Sequence, residues 1–192
     1  MCCGTKRLTE IACPADCAYL AAAREHPAAV VVRRQHRDVG FVLQFVRDFS
    51  DRQSQLFVLI ATYIVRVAAD AAALQPLLDE DVGDAMRSLA STYETAVRGV
   101  IYEHPATSLP AQRLVSGLKP LLAEAGKNGG TAFERDAAVV LRRIDQAVVD
   151  VRAAAPDQRR AFLELIERIF AKAAKGDDPT DPAPAERRLI VP

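Results

Sequence analysis

The sequence predicts an all-α fold: a single-domain bundle of about seven helices, with a cysteine-containing region at the N-terminus and a disordered tail at the C-terminus. Half of the 192 residues are hydrophobic, which is enough to build the core of one domain of the usual size, roughly 150 residues. Alanine is the commonest residue and long stretches lack glycine, as helices favour. Apolar residues also recur at helical spacing, as in Phe162, Leu165, Ile166, Ile169 and Phe170.

The first part of the chain predicts a zinc-knuckle-like turn, strand and helix. Gly4 allows a turn, residues 7–11 alternate in polarity as a short strand does, and a helix over residues 14–25 begins at Pro14. Pro27 ends this helix, because the residue before a proline avoids helical φ and ψ angles. We expect residues 1–26 to form this knuckle within a bundle of residues 1–175.

The next two predicted helices occupy the region up to Pro76. The first spans residues 29–49. The second begins after a cap at Ser50 or Asp51 and ends near Leu74. Apolar residues occupy most of the circumference of this second helix, so we expect it to lie at the centre of the bundle.

A fourth helix is predicted after the acidic run Asp79, Glu80 and Asp81, because carboxylates are favourable at the positive end of a helix dipole. It continues to about residue 103, where a His-Pro pair ends it. A fifth helix spans residues 108–125 and ends at the glycine-rich residues 126–130.

Two further helices complete the predicted bundle. Thr131 and Glu134 have the spacing of a capping box, which predicts the start of a helix that continues to about residue 155. A seventh helix lies between Pro156 and residue 175. Residues 176–192 are rich in proline and aspartate, and we expect a flexible tail with an apolar end.

The cysteines are the most chemically informative residues. All four, Cys2, Cys3, Cys13 and Cys17, lie close together at the N-terminus, whereas a disulfide scaffold distributes its cysteines to close long loops. Cys13 caps the first predicted helix and Cys17 lies about one turn later, where the free N–H groups of a helix N-terminus stabilise thiolates. The cluster therefore predicts a metal site, and thiolate ligands favour zinc.

The number of ligands leaves alternatives open. Adjacent cysteines point in different directions and seldom both bind one ion, so a histidine is an alternative fourth ligand. A chain reversal near Pro27 places His36 beside Cys17, which makes His36 the candidate. An iron–sulfur cluster, a thiol redox pair and free cysteines without metal are the other interpretations.

A second candidate site is a polar cluster inside the bundle. Arg66 and Asp70 interrupt the apolar third helix at i,i+4 spacing, and Tyr93, Glu94 and Arg98 lie on the fourth helix as potential partners. Buried charges must be paired, and such a cluster is either a structural ion-pair network or a ligand site. It is the basis of an alternative interpretation as a ligand-binding or enzymatic bundle.

Two segments are candidates for contact with a partner protein. Arg33, Arg34 and Arg37 form a basic stretch that is either a solvated face or a binding surface for an acidic partner. The last six residues turn apolar again, and they either dock on their own domain or bind a partner as a short linear motif. These residues are Arg187, Arg188, Leu189, Ile190, Val191 and Pro192.

Composition excludes other classes of function. The 25 basic residues balance the 25 acidic ones, which argues against general nucleic-acid binding. The longest apolar run, residues 56–65, is about half of the ~20 residues that a membrane span requires, and no signal peptide is recognisable. The motifs of di-iron carboxylate proteins, phosphate-binding loops and metalloproteases do not occur.

The sequence thus favours a cytoplasmic, non-enzymatic helical-bundle protein that is stabilised by zinc and acts through protein–protein contacts, with a homo-oligomer as an open alternative. A thiol-redox or iron–sulfur sensor is the second hypothesis. It rests on the same four cysteines.

Overall fold

The computed structural model describes residues 29–70, 75–127 and 129–174, and the regular structure in these ranges is entirely helical. The helices are α1 (Ala29–Val46), α2 (Asp51–Ala68), α3 (Asp79–Val97), α4 (Leu109–Gly126), α5 (Gly130–Ala154) and α6 (Ala161–Ala174). The all-α class is therefore confirmed for the described residues. The predicted knuckle of residues 1–26 lies outside them, as does the tail of residues 176–192.

The chain divides into two compact units, residues 1–43 and residues 44–192. In the larger unit α5 is the central helix, because it packs against α2, α3, α4 and α6, and its longest contact is with α3. The prediction that α2 is central was wrong. One face of α2 is buried, but Val58 on another face remains 45% exposed, so α2 is an amphipathic outer helix. The buried residues of α2 are Leu56, Phe57, Ile60, Ala61, Ile64 and Val65.

The predicted start of α2 is confirmed. Ser50 is the N-cap, and its Oγ accepts a hydrogen bond from the Gln53 N–H while the Gln53 side chain accepts one from the Ser50 N–H. Such a reciprocal capping box satisfies two of the free N–H groups at a helix start. α1 ends at Val46 rather than at residue 49, and the Phe49 N–H donates to the Val46 carbonyl at 3.0 Å in the turn that leads to Ser50.

The predicted ends of two helices were too late. α2 ends at Ala68 and not at Leu74. α3 ends at Val97 rather than near residue 103, because Gly99 adopts φ 78°, a left-handed conformation that ends helices. The N–H groups of Gly99 and Val100 then bond back to the carbonyls of residues 96 and 95.

The loop after α3 folds back along that helix. The Ser88 hydroxyl donates to the His104 carbonyl at 2.5 Å, and the His104 N–H donates to Thr92 Oγ1 at 3.0 Å. The Thr95 hydroxyl also lies 3.3 Å from the Tyr102 carbonyl. Ser88, Thr92 and Thr95 share one face of α3, so this face fixes the loop. As a consequence Val100, Ile101 and Tyr102 are exposed to solvent.

The predicted capping box at the start of α5 was also wrong. The helix begins at Gly130, one residue before Thr131, and its N-cap Gly129 makes no side-chain capping bond. Glycines at 129 and 130 allow this earlier start, since Gly130 adopts φ 50°, which is accessible to glycine at little cost. Phe133 then packs in the first turn against the backbone of Gly126 and Gly129.

Within the described ranges, no helix is both long and apolar enough to cross a lipid bilayer.

Candidate functional site

Charged side chains are grouped at both ends of α3. At its start Asp79 is fully buried, and its carboxylate accepts hydrogen bonds from the N–H groups of Phe162 at 2.9 Å and Leu163 at 3.0 Å. These are free donors in the first turn of α6. Asp79 is thus an N-cap supplied by another helix. Burial raises the pKa of Asp79, although the two N–H bonds and the charges of Arg152 and Arg160 act in the opposite direction.

Two neighbouring carboxylates bond to the start of α4 in the same way. Asp81 accepts from the Ser108 hydroxyl at 2.5 Å, and Ser108 in turn caps α4 by accepting from the Ala111 N–H at 3.2 Å. Asp84 accepts from the backbone N–H and the hydroxyl of Thr107, both at 2.7 Å. Burial alone would raise the pKa of Asp84, but the bonds from Thr107 and Ser108 outweigh it and lower the pKa.

An open groove of about 660 Å³ lies near the other end of α3, between α3 and α5. We call it the arginine groove. Four arginines and one glutamate line it together with a short apolar strip and a glutamine: Arg98, Arg135, Arg142, Arg143, Glu94, Val97, Ala138, Val139 and Gln146. Val139 is 46% exposed, so the strip is accessible to a ligand.

One arginine of the groove is fixed by an ion pair. Arg142 donates from Nε and a terminal nitrogen to the two carboxylate oxygens of Glu94, at 2.7 and 2.8 Å, and also to the Ser91 hydroxyl at 3.0 Å. This bidentate pair is the strongest common form of charge-assisted hydrogen bond. Accordingly, the hydrogen bonds from Arg142 lower the pKa of Glu94, and those to Glu94 raise the pKa of Arg142.

The other three arginines keep their charge accessible. The guanidinium carbon of Arg143 lies 5.6 Å from the centre of the Phe49 ring, which orients this side chain by a cation–π contact. Arg98 and Arg135 are exposed, and among the described residues neither has an ion-pair partner. The groove therefore presents more positive charge than Glu94 neutralises.

The residues of the predicted polar cluster lie in different surroundings. Glu94 and Arg98 line the groove. Arg66 and Asp70 are exposed on and just after α2, so the pairing that buried charges would require does not apply to them. Arg66 lies over the Tyr63 ring, 5.1 Å from its centre, where the long side chain covers an aromatic face.

Tyr93 has a structural role next to the groove. Its ring packs edge-on against Phe133, with the ring centres 6.3 Å apart. Burial raises the pKa of Tyr93, and the negative charge of Glu134 adds to this effect. Tyr93 is therefore neutral at physiological pH and helps to pack α3 against the start of α5.

The predicted metal ligands lie mostly beyond the described residues. Cys2, Cys3, Cys13 and Cys17 are outside them, and His36 is exposed on α1. Within residues 29–70, 75–127 and 129–174 no group of histidine, cysteine and carboxylate side chains is arranged to hold a metal ion. The basic residues Arg33, Arg34 and Arg37 are exposed on α1.

Sequence reasoning missed the α5 side of the groove, although a signal was present. Arg135, Val139, Arg142, Arg143 and Gln146 follow the i, i+4, i+7, i+8, i+11 spacing of one helix face. This face carries three arginines and no acidic residue. The sequence did not show that this face meets Glu94 and Arg98 of another helix.

No protein-family model, curated protein or solved structure matches this chain. The class of the protein is therefore defined by its own fold and site: a helical bundle with an arginine-lined groove beside its central helix.

Proposed function

We propose that this protein is a helical-bundle interaction module that binds an acidic, partly apolar segment of a partner protein in the arginine groove. The observation that carries the proposal is the composition of the groove: four arginines surround an apolar strip, and one glutamate opposes them. Arginine recognises carboxylates with bidentate geometry, and it is enriched in protein interfaces. Val97, Ala138 and Val139 supply the apolar contact that a peptide side chain buries.

A peptide fits this groove better than a nucleic acid does. The net charge of the chain is zero, so no broad basic field would attract a polyanion. In addition, the lining contains no exposed aromatic side chain on which a base would stack.

The test is the affinity of the full chain for a short fluorescein-labelled peptide of alternating aspartate and leucine, measured by fluorescence anisotropy. The separate variants Arg98→Ala and Arg135→Ala should each weaken binding by roughly two- to fivefold, the value of one exposed charge pair. Binding should also weaken as salt increases, because the screening length falls from about 8 Å at physiological ionic strength to about 3 Å at 1 M salt.

The matched control is Arg113→Ala, which removes an exposed arginine from α4, outside the groove. It should leave the affinity unchanged. A second control is the same peptide with lysine in place of aspartate, which should not bind. If Arg113→Ala weakens binding as much as Arg98→Ala, or if labelled single-stranded DNA binds more tightly through the same arginines, the proposal is wrong.

We further propose, from the sequence, that zinc stabilises the chain through Cys2, Cys3, Cys13 and Cys17, with His36 as the alternative fourth ligand. Elemental analysis of the purified full chain should find near-stoichiometric zinc, and Cys13→Ser should lower both zinc content and stability. Iron with visible absorbance, or thiols lost reversibly on oxidation, would support the iron–sulfur or redox alternative instead. Folded protein without any metal would contradict all of the metal-bound interpretations.

A further inference from the structure

The residues that connect the end of α6 to the arginine groove form a continuous series of aromatic contacts. Phe170 in the last turns of α6 packs edge-on against Phe57, with ring centres 5.9 Å apart, and Phe57 lies 6.2 Å from Phe49. The Arg143 guanidinium, which lines the groove, lies over the Phe49 ring. Phe170, four residues before the end of α6, is thus linked to Arg143 of the groove through two phenylalanine rings.

The sequence that follows α6 is complementary to the groove in charge. Between residues 176 and 186 it contains Asp177, Asp178, Asp181 and Glu186 and no basic residue. Its prolines at 179, 182 and 184 favour an extended conformation. An extended acidic segment is the kind of peptide that a groove with arginines on both sides recognises.

The available length is sufficient. The seven residues from Lys175 to Asp181 span up to about 24 Å when extended. This is longer than the whole series of contacts from Phe170 to Arg143, whose individual steps are 5.9, 6.2 and 5.6 Å. A segment tethered in this way has an effective concentration in the millimolar range, so even weak attraction produces substantial occupancy.

We infer that residues 177–186 of the same chain bind in the arginine groove and compete with the acidic segment of a partner. The inference rests on the proposed function, because it assigns regulation to the same groove. A partner must displace these residues, and any modification or second ligand that removes them increases the affinity of the groove. A tail that fills the groove about four fifths of the time lowers the apparent affinity of a partner roughly fivefold.

The experiment uses the full chain and the aspartate–leucine peptide described above. The variant Asp177→Asn/Asp178→Asn/Asp181→Asn keeps the length and the prolines but removes three charges, so it should bind the peptide roughly fivefold more tightly than the unaltered chain. The matched comparison is between two single variants. Asp178→Asn should strengthen binding, whereas Asp157→Asn, which removes an exposed carboxylate from the turn between α5 and α6, should not.

A synthetic peptide of residues 176–186 provides a second test, since it should displace the labelled peptide from the triple variant and should do so less well when Arg135 is also changed to alanine.

Equal affinities of the triple variant and the unaltered chain would overturn the inference while leaving the proposed function intact, provided that Arg98→Ala still weakens binding. If the labelled peptide binds neither chain, the proposed function itself fails. A difference that grows with protein concentration would assign the effect to a second copy and would overturn the intramolecular inference.

Discussion

At the start of α3, three aspartates bond to residues at the starts of two other helices. Near the end of α3 the situation differs: Arg98, and Arg135 across the groove, are exposed and have no ion pair within the described ranges. Asp79, Asp81 and Asp84 are directed at backbone N–H groups and hydroxyls that would otherwise lack partners. Their carboxylate oxygens are therefore occupied by donors of the fold. The exposed groove arginines have no such partners in the described part of the chain, and their charge remains available for a ligand.

This contrast shows that the burial and the partners of a charged residue indicate whether it acts in stability or in binding, whereas the number of charges in a region does not. Both regions are rich in one sign of charge. Only the aspartates are enclosed by donors from separate helices, and their replacement should therefore change stability. Replacement of the exposed arginines should change binding instead.

The largest expected effect is that of Asp79→Ala. The change leaves the N–H groups of Phe162 and Leu163 without acceptors in a region where both residues are at least 96% buried. We expect a loss of about 2–4 kcal/mol in the free energy of unfolding, measured by urea denaturation. A loss below about 0.5 kcal/mol would show that water replaces the carboxylate and that the start of α6 does not depend on it.

Ser108→Ala should have the next largest effect. It removes the N-cap of α4 and the donor that bonds to Asp81, and loss of an N-cap typically costs about 1–2 kcal/mol. The same denaturation measurement applies. Ser116→Ala is the control. Ser116 lies in the middle of α4 with its hydroxyl exposed to solvent, and this hydroxyl donates to the Gln112 carbonyl of the same helix.

The pH dependence of stability should have opposite signs for two aspartates. The pKa of Asp84 is lowered in the folded state, so its contribution is present above its ordinary pKa of 3.8 and is lost as the pH falls through the lowered value. The pKa of Asp79 is raised, so its contribution is present below 3.8 and is lost as the pH rises through the raised value.

Denaturation of the variants Asp84→Asn and Asp79→Asn between acidic and neutral pH measures these contributions. The difference in stability between the unaltered chain and Asp84→Asn should shrink on acidification. Asp79→Asn loses an acceptor at every pH, and its difference from the unaltered chain should grow on acidification, as protonation relieves the cost of the buried charge. Parallel pH profiles for the two variants would contradict the assignment.

Glu94→Gln should affect binding more than stability. The Glu94–Arg142 pair is partly exposed, with side-chain exposures of 38% and 39%, so its loss should cost less than about 1 kcal/mol. It also removes the negative charge that lines the groove, so the aspartate–leucine peptide should bind roughly two- to fivefold more tightly. Weaker binding would mean that the main role of Glu94 is to position Arg142.

The smallest expected effect on stability is that of the exposed arginines. Arg98→Ala and Arg135→Ala should each change the free energy of unfolding by less than about 0.5 kcal/mol, although both weaken peptide binding. Equilibrium denaturation and anisotropy on the same preparations separate the two quantities. A loss of stability as large as that of Ser108→Ala would assign these residues to the fold.

Local signals were sufficient to predict several elements. The cap predicted at Ser50 or Asp51 marked the start of α2, and the order and approximate extent of five further helices followed from periodicity, caps and breaker residues. Two errors arose where glycine allowed a conformation that side-chain patterns do not encode: Gly99 ended α3 early, and Gly130 moved the start of α5 ahead of the Thr131–Glu134 pair.

The site was less predictable, because its residues come from distant parts of the sequence. The acidic run at Asp79 was correctly associated with a helix start, but its partners Phe162 and Leu163 are 83 and 84 residues away. Likewise, Glu94 and Arg98 belonged to the predicted cluster. The identity of their neighbours on α5 follows only from the packing of α3 against that helix, which the sequence does not reveal. The prediction of Arg66 and Asp70 as cluster members assumed that α2 was buried all round.

The central claim, that the aspartates at the start of α3 stabilise the fold while the arginines beside its end bind a ligand, is tested most directly by an NMR titration. In an amide chemical-shift titration of the full chain with the aspartate–leucine peptide, we expect the largest shifts at Arg98, Arg135, Val139 and Arg143. The amides of Asp79, Asp81 and Asp84 should remain unchanged. Shifts of equal size at both ends of α3, or none at the groove, would contradict the claim.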